Sequence, residues 1–289
     1  MDYELLDCGD FYKIERFGKY TLARPEPQAL WSMRNPLQNW RQSVDAFYER
    51  KKTDIVSNKE DSGNWILNSE VPANWQMGVG EFGDKKIKIK LALTAFKHVG
   101  IFPEQWDNWQ FIYQHSKEQE LQGTMLNLFA YTGVASLVGN VAGLKVTHVD
   151  AVKQVVNWAN ENREHSQIEP TISWVVEDAI KYLKREISRG KQYTAILLDP
   201  PAYGRGPNGE KWILEKELFD LLNLCKQLLI EKNSFLIINL YSLNITPLLL
   251  ESILKEADLW TENSLCMEQF IPYGDNKKLP LGVCARVIY

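Results

Sequence analysis

Over residues 1–95 the apolar positions come in short runs, several of them alternating with polar positions, a pattern that predicts β-strands. Runs from Tyr3 to Asp7, Phe11 to Phe17 and Tyr20 to Arg24 are separated by Gly9-Asp10 and Gly18-Lys19, both hairpin-turn pairs. Pro25, Pro27 and Pro36 interrupt any regular element after them. Further strands are expected at 64–67 and 85–93, where Lys86, Lys88 and Lys90 alternate with Ile87, Ile89 and Leu91. From Gln105 onward the period changes. Trp106, Trp109 and Tyr113 mark one face of a helix ending near Leu121. Strands at 124–129, 144–149, 171–176, 193–198 and 234–240 then alternate with helices at 132–142, 151–165, 178–188 and 215–230. Val134, Leu137, Val138 and Val141 form an i, i+3, i+4, i+7 stripe, and so do Val152, Val155, Val156 and Ala159. Such a βα series predicts an α/β fold, a doubly wound, mostly parallel sheet with helices on both faces. The last strand, 281–288, follows Pro272-Tyr273-Gly274 without a crossover helix and is expected to enter antiparallel. The expected division is a small β-rich N-terminal domain, 1–95, and an α/β domain, 96–289.

The 289 residues, 45% apolar and 24% charged, suffice for a full core without cross-links. Cys8, Cys225, Cys266 and Cys284 are scattered and form no ligand set with His98, His115, His148 or His165, so no metal is expected. The acidic start MDYELLDCGD lacks a signal-peptide pattern and no apolar run approaches membrane-spanning length, which predicts a cytoplasmic protein without membrane attachment. A net charge of −4 gives nucleic-acid binding no support from the whole chain, although a local patch is what matters. The lysine stripe reads either as a solvent face or as a track for a phosphate backbone.

Ligands of open α/β sheets sit beyond the carboxyl ends of the strands. The first strand ends in Asn127-Leu128-Phe129-Ala130-Tyr131-Thr132-Gly133, with one glycine and no dinucleotide or phosphate-loop fingerprint. A cofactor without a phosphate chain at this turn is expected. The second ends in Asp150-Ala151, where the acid either accepts from ribose hydroxyls or caps the next helix. The third ends in Glu177-Asp178, placed to accept from an adenine amino group or, again, to cap. The fourth ends in Asp199-Pro200-Pro201-Ala202-Tyr203. Two prolines stop the strand with its carbonyls turned outward, beside a carboxylate and an aromatic face. That set suits an amino group on a planar ring. The glycine-rich segment from Gly204 to Trp212 reads as a lid or as a solvated loop.

Taken together, Leu126 to Gly133, Val149-Asp150-Ala151, Val176-Glu177-Asp178, Asp199 to Tyr203 and Gly282 to Arg286 resemble the class I S-adenosylmethionine-dependent methyltransferases. More narrowly they resemble the bacterial family of 23S rRNA cytosine-5 methyltransferases and their guanine-modifying relatives. The segment His98 to Gln105 resembles that family's glycine–aromatic–acid–glutamine motif, which implies cofactor contacts at Phe102 and Gln105. The resemblance implies a seven-stranded Rossmann-like sheet and S-adenosyl-L-methionine held by Phe102, Gln105, Asn127, Phe129, Ala130, Tyr131, Thr132, Gly133, Asp150, Ala151, Glu177, Asp178 and Asp199. It implies catalytic roles for Asp199, Pro200, Pro201 and Tyr203. Cytosine-5 enzymes carry a cysteine after the fifth strand, where this chain has Asn239-Leu240-Tyr241-Ser242, and Cys225 lies on an apolar helix stripe. Nitrogen methylation of a base in RNA, with rRNA favoured, is therefore expected. Methylation of a small molecule or a protein side chain is the alternative.

Overall fold

The first five β-strands build one sheet, antiparallel except at one pairing. A computed structural model describes residues 1–50, 63–95, 97–241, 244–274 and 276–289. Strands β1 (Tyr3–Gly9), β2 (Tyr12–Phe17) and β3 (Tyr20–Pro25) form a meander. Asp10 and Phe11, at φ +48° and +62°, supply the left-handed pair that a two-residue hairpin needs, and Gly18, at φ +63°, opens the second turn. After helix α1 (Leu37–Ser43), strand β4 (Ala46–Arg50) adds parallel to β3, and β5 (Gly63–Leu67) adds antiparallel to β4. Strands β6 (Trp75–Phe82) and β7 (Lys85–Leu91) pair separately. In β7, Ile87, Ile89 and Leu91 are buried while Lys86 and Lys88 are exposed, and Lys86 pairs with Glu81 at 2.9 Å. A turn of 3-10 helix, Pro103–Gln105, follows.

Helix α2 (Trp106–Glu118) begins the α/β series: β8 (Thr124–Leu128), α3 (Val134–Ala142), β9 (Lys145–Asp150), α4 (Lys153–His165), β10 (Ser173–Val176), α5 (Ala179–Ser188) and β11 (Ala195–Leu198). A short hairpin, β12 (Tyr203–Arg205) and β13 (Lys211–Ile213), precedes α6 (Leu214–Leu228). Strand β14 (Phe235–Leu240), α7 (Pro247–Glu256), β15 (Leu265–Tyr273) and β16 (Lys277–Ile288) complete the chain. The sheet order is β10-β9-β8-β11-β14-β16-β15, seven strands. The first five run parallel and β16 is antiparallel to β14. This is the expected doubly wound architecture. No helix among the described residues is long and apolar enough to cross a membrane.

Contacts divide the chain into two units. The first is Met1–Glu81, Lys86–Glu104 and Phe270–Leu281; the second is Phe82–Lys85, Gln105–Gln269 and Gly282–Tyr289. In the second unit, β11 and β14 are buried on both faces, as parallel strands between helix layers must be. One face carries Leu126, Leu128, Ile196, Leu198, Leu236, Ile238 and Leu240 in a single apolar cluster with α5, α6 and α7. The alternate residues, including Asn127, Leu197, Ile237 and Asn239, turn to the other face.

The structure differs from the sequence expectation in several places. Strands β4, β6 and β15 and helix α7 were not predicted; in α7 the run Leu248-Leu249-Leu250 hides the period, because Leu248 is 72% exposed. Val152, expected in the buried stripe of α4, precedes that helix and is 48% exposed. The glycine-rich segment is not an open loop but the β12–β13 hairpin, whose tip closes through Gly206 N–H to the Glu210 carbonyl at 2.8 Å.

The first unit buries charge. Arg24 donates to both oxygens of Glu15 at 2.7 and 2.8 Å, Tyr3 donates to Glu15 at 2.9 Å, and Lys13 pairs with Glu26 at 3.2 Å. Burial pushes the Glu15 carboxyl up, but the Arg24 guanidinium and the Lys13 ammonium outweigh it and hold the acid below the usual carboxylate range. Removing one member of such a pair leaves the other charge buried alone. Arg24→Met is expected to lower stability by about 3–5 kcal/mol in urea unfolding, and adding Glu15→Leu should recover most of that loss.

Candidate functional site

The loop after β8 has a backbone that only glycine adopts without cost, yet it is built largely from other residues. Phe129 and Tyr131 sit at φ +55° and +48°, and Gly133, at φ +86°, leads into α3. Left-handed aromatic residues cost about 1–2 kcal/mol each and persist where the surroundings enforce them. Here the enforcing bonds are visible. Ala130 N–H donates to the Val149 carbonyl at 3.1 Å, and Tyr131 N–H donates to Asp150 Oδ2 at 2.9 Å. Gly133 admits no side chain, because a Cβ there would lie 2.8 Å from the Ala159 Cβ.

Asp150 Oδ1 accepts from Val152 N–H at 2.9 Å, so the carboxylate ties its own turn to the neighbouring loop. It does not cap α4, which starts at Lys153 with Val152 before it. Burial pushes its carboxyl above the usual range, against the pull of its amide donors. Ala151 follows it, half-buried. At the next strand end the capping reading applies: Asp178 Oδ1 accepts from Lys181 N–H at 2.9 Å and caps α5. Glu177 is paired with Arg185 at 2.5 Å. Val152 and Val176, offered by the sequence as a helix-stripe position and a strand-end position, are 48% and 41% exposed and present apolar surface at these two strand ends.

Asp199 follows β11 directly, its N–H reaching the Leu128 carbonyl at 3.4 Å. Pro200 is buried and Pro201 exposed. The Pro201 carbonyl accepts from the Trp212 indole N–H at 2.5 Å, and the Ala202 carbonyl accepts from Leu214 N–H at 3.0 Å. Trp212, 5% exposed, also packs on Phe129 with ring centroids 5.1 Å apart. One side chain therefore braces both the left-handed loop and the proline turn. Nothing in the local sequence announces this. Tyr203, at the start of β12, is 72% exposed.

Behind these strand ends lie two buried polar groups of side chains. Asn127 donates to Ser136 Oγ at 2.9 Å, and Ser136 lies 3.0 Å from His148 Nδ1; burial drives the His148 pKa down to about 3, so the ring is neutral. In the second group Asn108 donates to Gln105 Oε1 at 3.0 Å and to Asn239 Oδ1 at 2.8 Å. Gln269 donates to the same Asn239 oxygen at 3.0 Å, and Gln105 donates to the Tyr241 hydroxyl at 2.6 Å. Gln105 thus spends its side chain on two neighbours. Ser242, in the same stretch, lies outside the described residues.

Asn127, Phe129, Ala130, Tyr131, Thr132, Gly133, Asp150, Ala151 and Asp199 all stand at the carboxyl ends of β8, β9 and β11, with Glu177 and Asp178 after β10. Phe102 belongs to the first unit, where its ring lies 5.2 Å from His98. Burial pushes all four cysteine thiols up, Cys284 to about 11 and Cys266 to about 12. None is a thiolate at neutral pH. Among the described residues no group of three or more His, Cys, Asp or Glu side chains could hold a metal ion.

No protein-family model matches the chain. The structure is similar to that of a SAM-dependent methyltransferase from Agrobacterium tumefaciens, 33% identical, covering 100% of this chain and 90% of that one with a TM-score of 0.88. It also shares the fold of a SAM-dependent methyltransferase from Streptococcus mutans, 19% identical, covering 99% and 75% of the two chains with a TM-score of 0.72. A curated relative, ribosomal RNA large subunit methyltransferase K/L of Pseudoalteromonas translucida, is 33% identical over 132 residues. That match covers 45% of this chain and 17% of the relative, so the chain spans under a fifth of that protein's length.

Trp212→Phe keeps a ring against Phe129 but removes the donor to the Pro201 carbonyl. An expected loss of about 0.5–1.5 kcal/mol, the usual net worth of one hydrogen bond, should appear as a lowered midpoint in thermal unfolding.

Proposed function

The chain belongs to the S-adenosylmethionine-dependent methyltransferases, and from that membership we propose that it methylates an amino nitrogen of a nucleobase in RNA, with rRNA favoured. The observation that carries the proposal is the Asp199-Pro200-Pro201 turn, which sets a carboxylate directly after β11, with the exposed ring of Tyr203 two residues beyond Pro201. The rRNA methyltransferase relative supports RNA as the acceptor, and a cytoplasmic setting goes with it.

The residues at the strand ends fit the cofactor. The loop from Phe129 to Gly133 closes on itself without a glycine-rich phosphate cradle, which suits a ligand lacking a phosphate chain. Asp150 accepts backbone amides on both oxygens, and the lone pairs that remain suit ribose hydroxyls. Val152 and Val176 offer the adenine ring an apolar surface, and Asp178, capping α5 through Oδ1, presents Oδ2 to the adenine amino group. Bound there, S-adenosylmethionine would supply an electrophilic methyl group on a sulfonium sulfur.

The protein's share of the chemistry is alignment and charge. Asp199 and the Pro200 carbonyl accept the two N–H bonds of the acceptor amine and turn its lone pair toward the methyl. The Asp199 carboxylate stabilises the positive charge that grows on nitrogen and sits ready for the proton that leaves. Tyr203 stacks on the base, which enters single-stranded or flipped out of a helix. With no cysteine in the stretch Asn239-Leu240-Tyr241-Ser242, attack on a pyrimidine carbon lacks the nucleophile that would start it.

Two variants separate the roles. Asp150→Ala is expected to weaken S-adenosylmethionine binding about tenfold or more in calorimetry, the worth of charge-assisted hydrogen bonds. Asp199→Ala should lower methyl transfer by about a hundredfold or more, well beyond any accompanying loss of that affinity. The direct test supplies labelled S-adenosylmethionine with purified rRNA, ribosomal subunits and an RNA-free extract as separate acceptors. Label in RNA is the expected result; label confined to the RNA-free fraction would overturn the RNA reading in favour of a small-molecule or protein amine.

A further inference from the structure

The geometry points to Asn239 as the residue that reads the acceptor base next to Asp199, by donating a hydrogen bond to the ring nitrogen adjacent to the amine being methylated. This rests on the base-methylation reading above and deepens it.

The placement follows from register. β11 and β14 pair in parallel with Leu197 opposite Ile237 and Leu198 opposite Ile238. One step further come Asp199, which directly follows β11, and Asn239, still within β14; where the backbone stays extended, positions in matching register share a face. On the far side Asn239 pairs with Cys284 of β16, and the Asp199 charge is felt at the Cys284 thiol. Asn239 and Cys284 are thus paired, and Asp199 stands beside them at the end of β11.

The chemistry follows from the hydrogen bonds. Asn239 is 4% exposed, and its Oδ1 accepts from Asn108 at 2.8 Å and from Gln269 at 3.0 Å. An amide oxygen has two lone pairs, so both are used. The orientation of the amide is decided by the same two bonds, because a flipped Asn239 would turn its NH2 group against two NH2 donors. Asn108 cannot rotate to relieve that clash: Arg286 Nε donates to its Oδ1 at 2.9 Å, and Asn108 also donates to Gln105, which in turn is tied to Tyr241. The network therefore holds Asn239 with its Oδ1 spent and its NH2 group, among the described residues, without an acceptor, next to the end of β11 where Asp199 stands. A purely structural cluster would close on itself, yet this one also contains a buried acceptor, Gln269 Oε1, without a hydrogen-bond partner. Open polar capacity in a buried cluster marks the floor of a polar pocket more than a packed core.

An acceptor at Asp199 beside a donor at Asn239 matches a base edge that shows an amino group next to a bare ring nitrogen. Adenine has that edge at N6 and N1, cytosine at N4 and N3, guanine at N2 and N3. Uracil has no such edge, and is refused.

The test begins with rRNA labelled by the wild-type enzyme, digested to nucleosides and identified by mass spectrometry. The methyl group is expected on an exocyclic amine. A short RNA carrying that nucleotide is then compared with one in which the adjacent ring nitrogen is replaced by C–H. For the wild type the replacement should lower kcat/KM about 10–100-fold, the usual penalty for a lost partner in a site built to pair it. Asn239→Ala should lower kcat/KM on the natural RNA by a similar factor and lose nothing more on the replaced RNA. Asn239→Asp, which removes the donor and keeps the shape, should behave as Asn239→Ala does. Affinity for S-adenosylmethionine within about twofold of wild type confirms that the variants retain the folded site. Penalties that multiply, a variant as active as wild type, or methyl on a ring atom would overturn the role of Asn239 while leaving RNA as substrate. No label in any RNA would instead remove the acceptor reading, and this inference with it.

Discussion

Everything at the candidate site depends on the in-register parallel pairing of β8, β11 and β14. Leu197 lies between Asn127 and Ile237, and Leu198 between Leu128 and Ile238. Because β11 and β14 are buried on both faces, their side chains alternate between two apolar layers, and a slip by one residue would exchange the layers. The pairing commits Leu198 and Ile238 to the layer under α5, α6 and α7. The next positions, Asp199 and Asn239, must then face the opposite way. A carboxylate and an amide come to share one face at the place where the strands end and ligands of this architecture sit.

The polar residues on that face are tolerated because they are bound to one another. An amide buried without partners costs on the order of 1–3 kcal/mol, so a core position holding one is normally replaced by an apolar residue. Here Asn127 donates to Ser136 and Ser136 bonds to His148 Nδ1, and Gln105, Asn108, Asn239 and Gln269 form a second connected set. The strained loop is held in a similar way from outside itself. Phe129 and Tyr131 keep left-handed backbones because Asp150 binds the Tyr131 amide and Trp212 packs on Phe129. Trp212 also holds the Pro201 carbonyl, so the loop after β8 and the proline turn share a brace.

Some of the site was readable before any coordinates. Asp199-Pro200-Pro201 announced itself because proline restricts its own backbone and that of its predecessor, whatever surrounds it. The single glycine at 133 was likewise a local signal, explained by its φ of +86° and the close approach of Ala159. Asp178 shows the limit of such reading. Capping and adenine binding call for the same residue at the same place, and only the hydrogen bond to Lys181 N–H shows that capping is in force. The segment from Gly204 to Trp212 looked like a loop because glycine, proline and asparagine dominate it, yet Tyr203–Arg205 and Lys211–Ile213 pair across those residues.

What the sequence determined by itself was everything that acts over a few residues: the change of period near Gln105, the βα alternation, the strand ends, the turn that stops at Asp199. These follow from backbone sterics and from burial that repeats with a fixed period. What the tertiary structure alone decided is which side chains meet. Asn108 reaches Asn239 across 131 positions of chain and Arg286 across 178. Trp212, spaced 11 residues from Pro201, reaches its carbonyl only because β12 and β13 fold back on each other. Hydrogen bonds last over about 3 Å and side-chain contact over about 4 Å, so such meetings depend on packing in space, which no local pattern encodes.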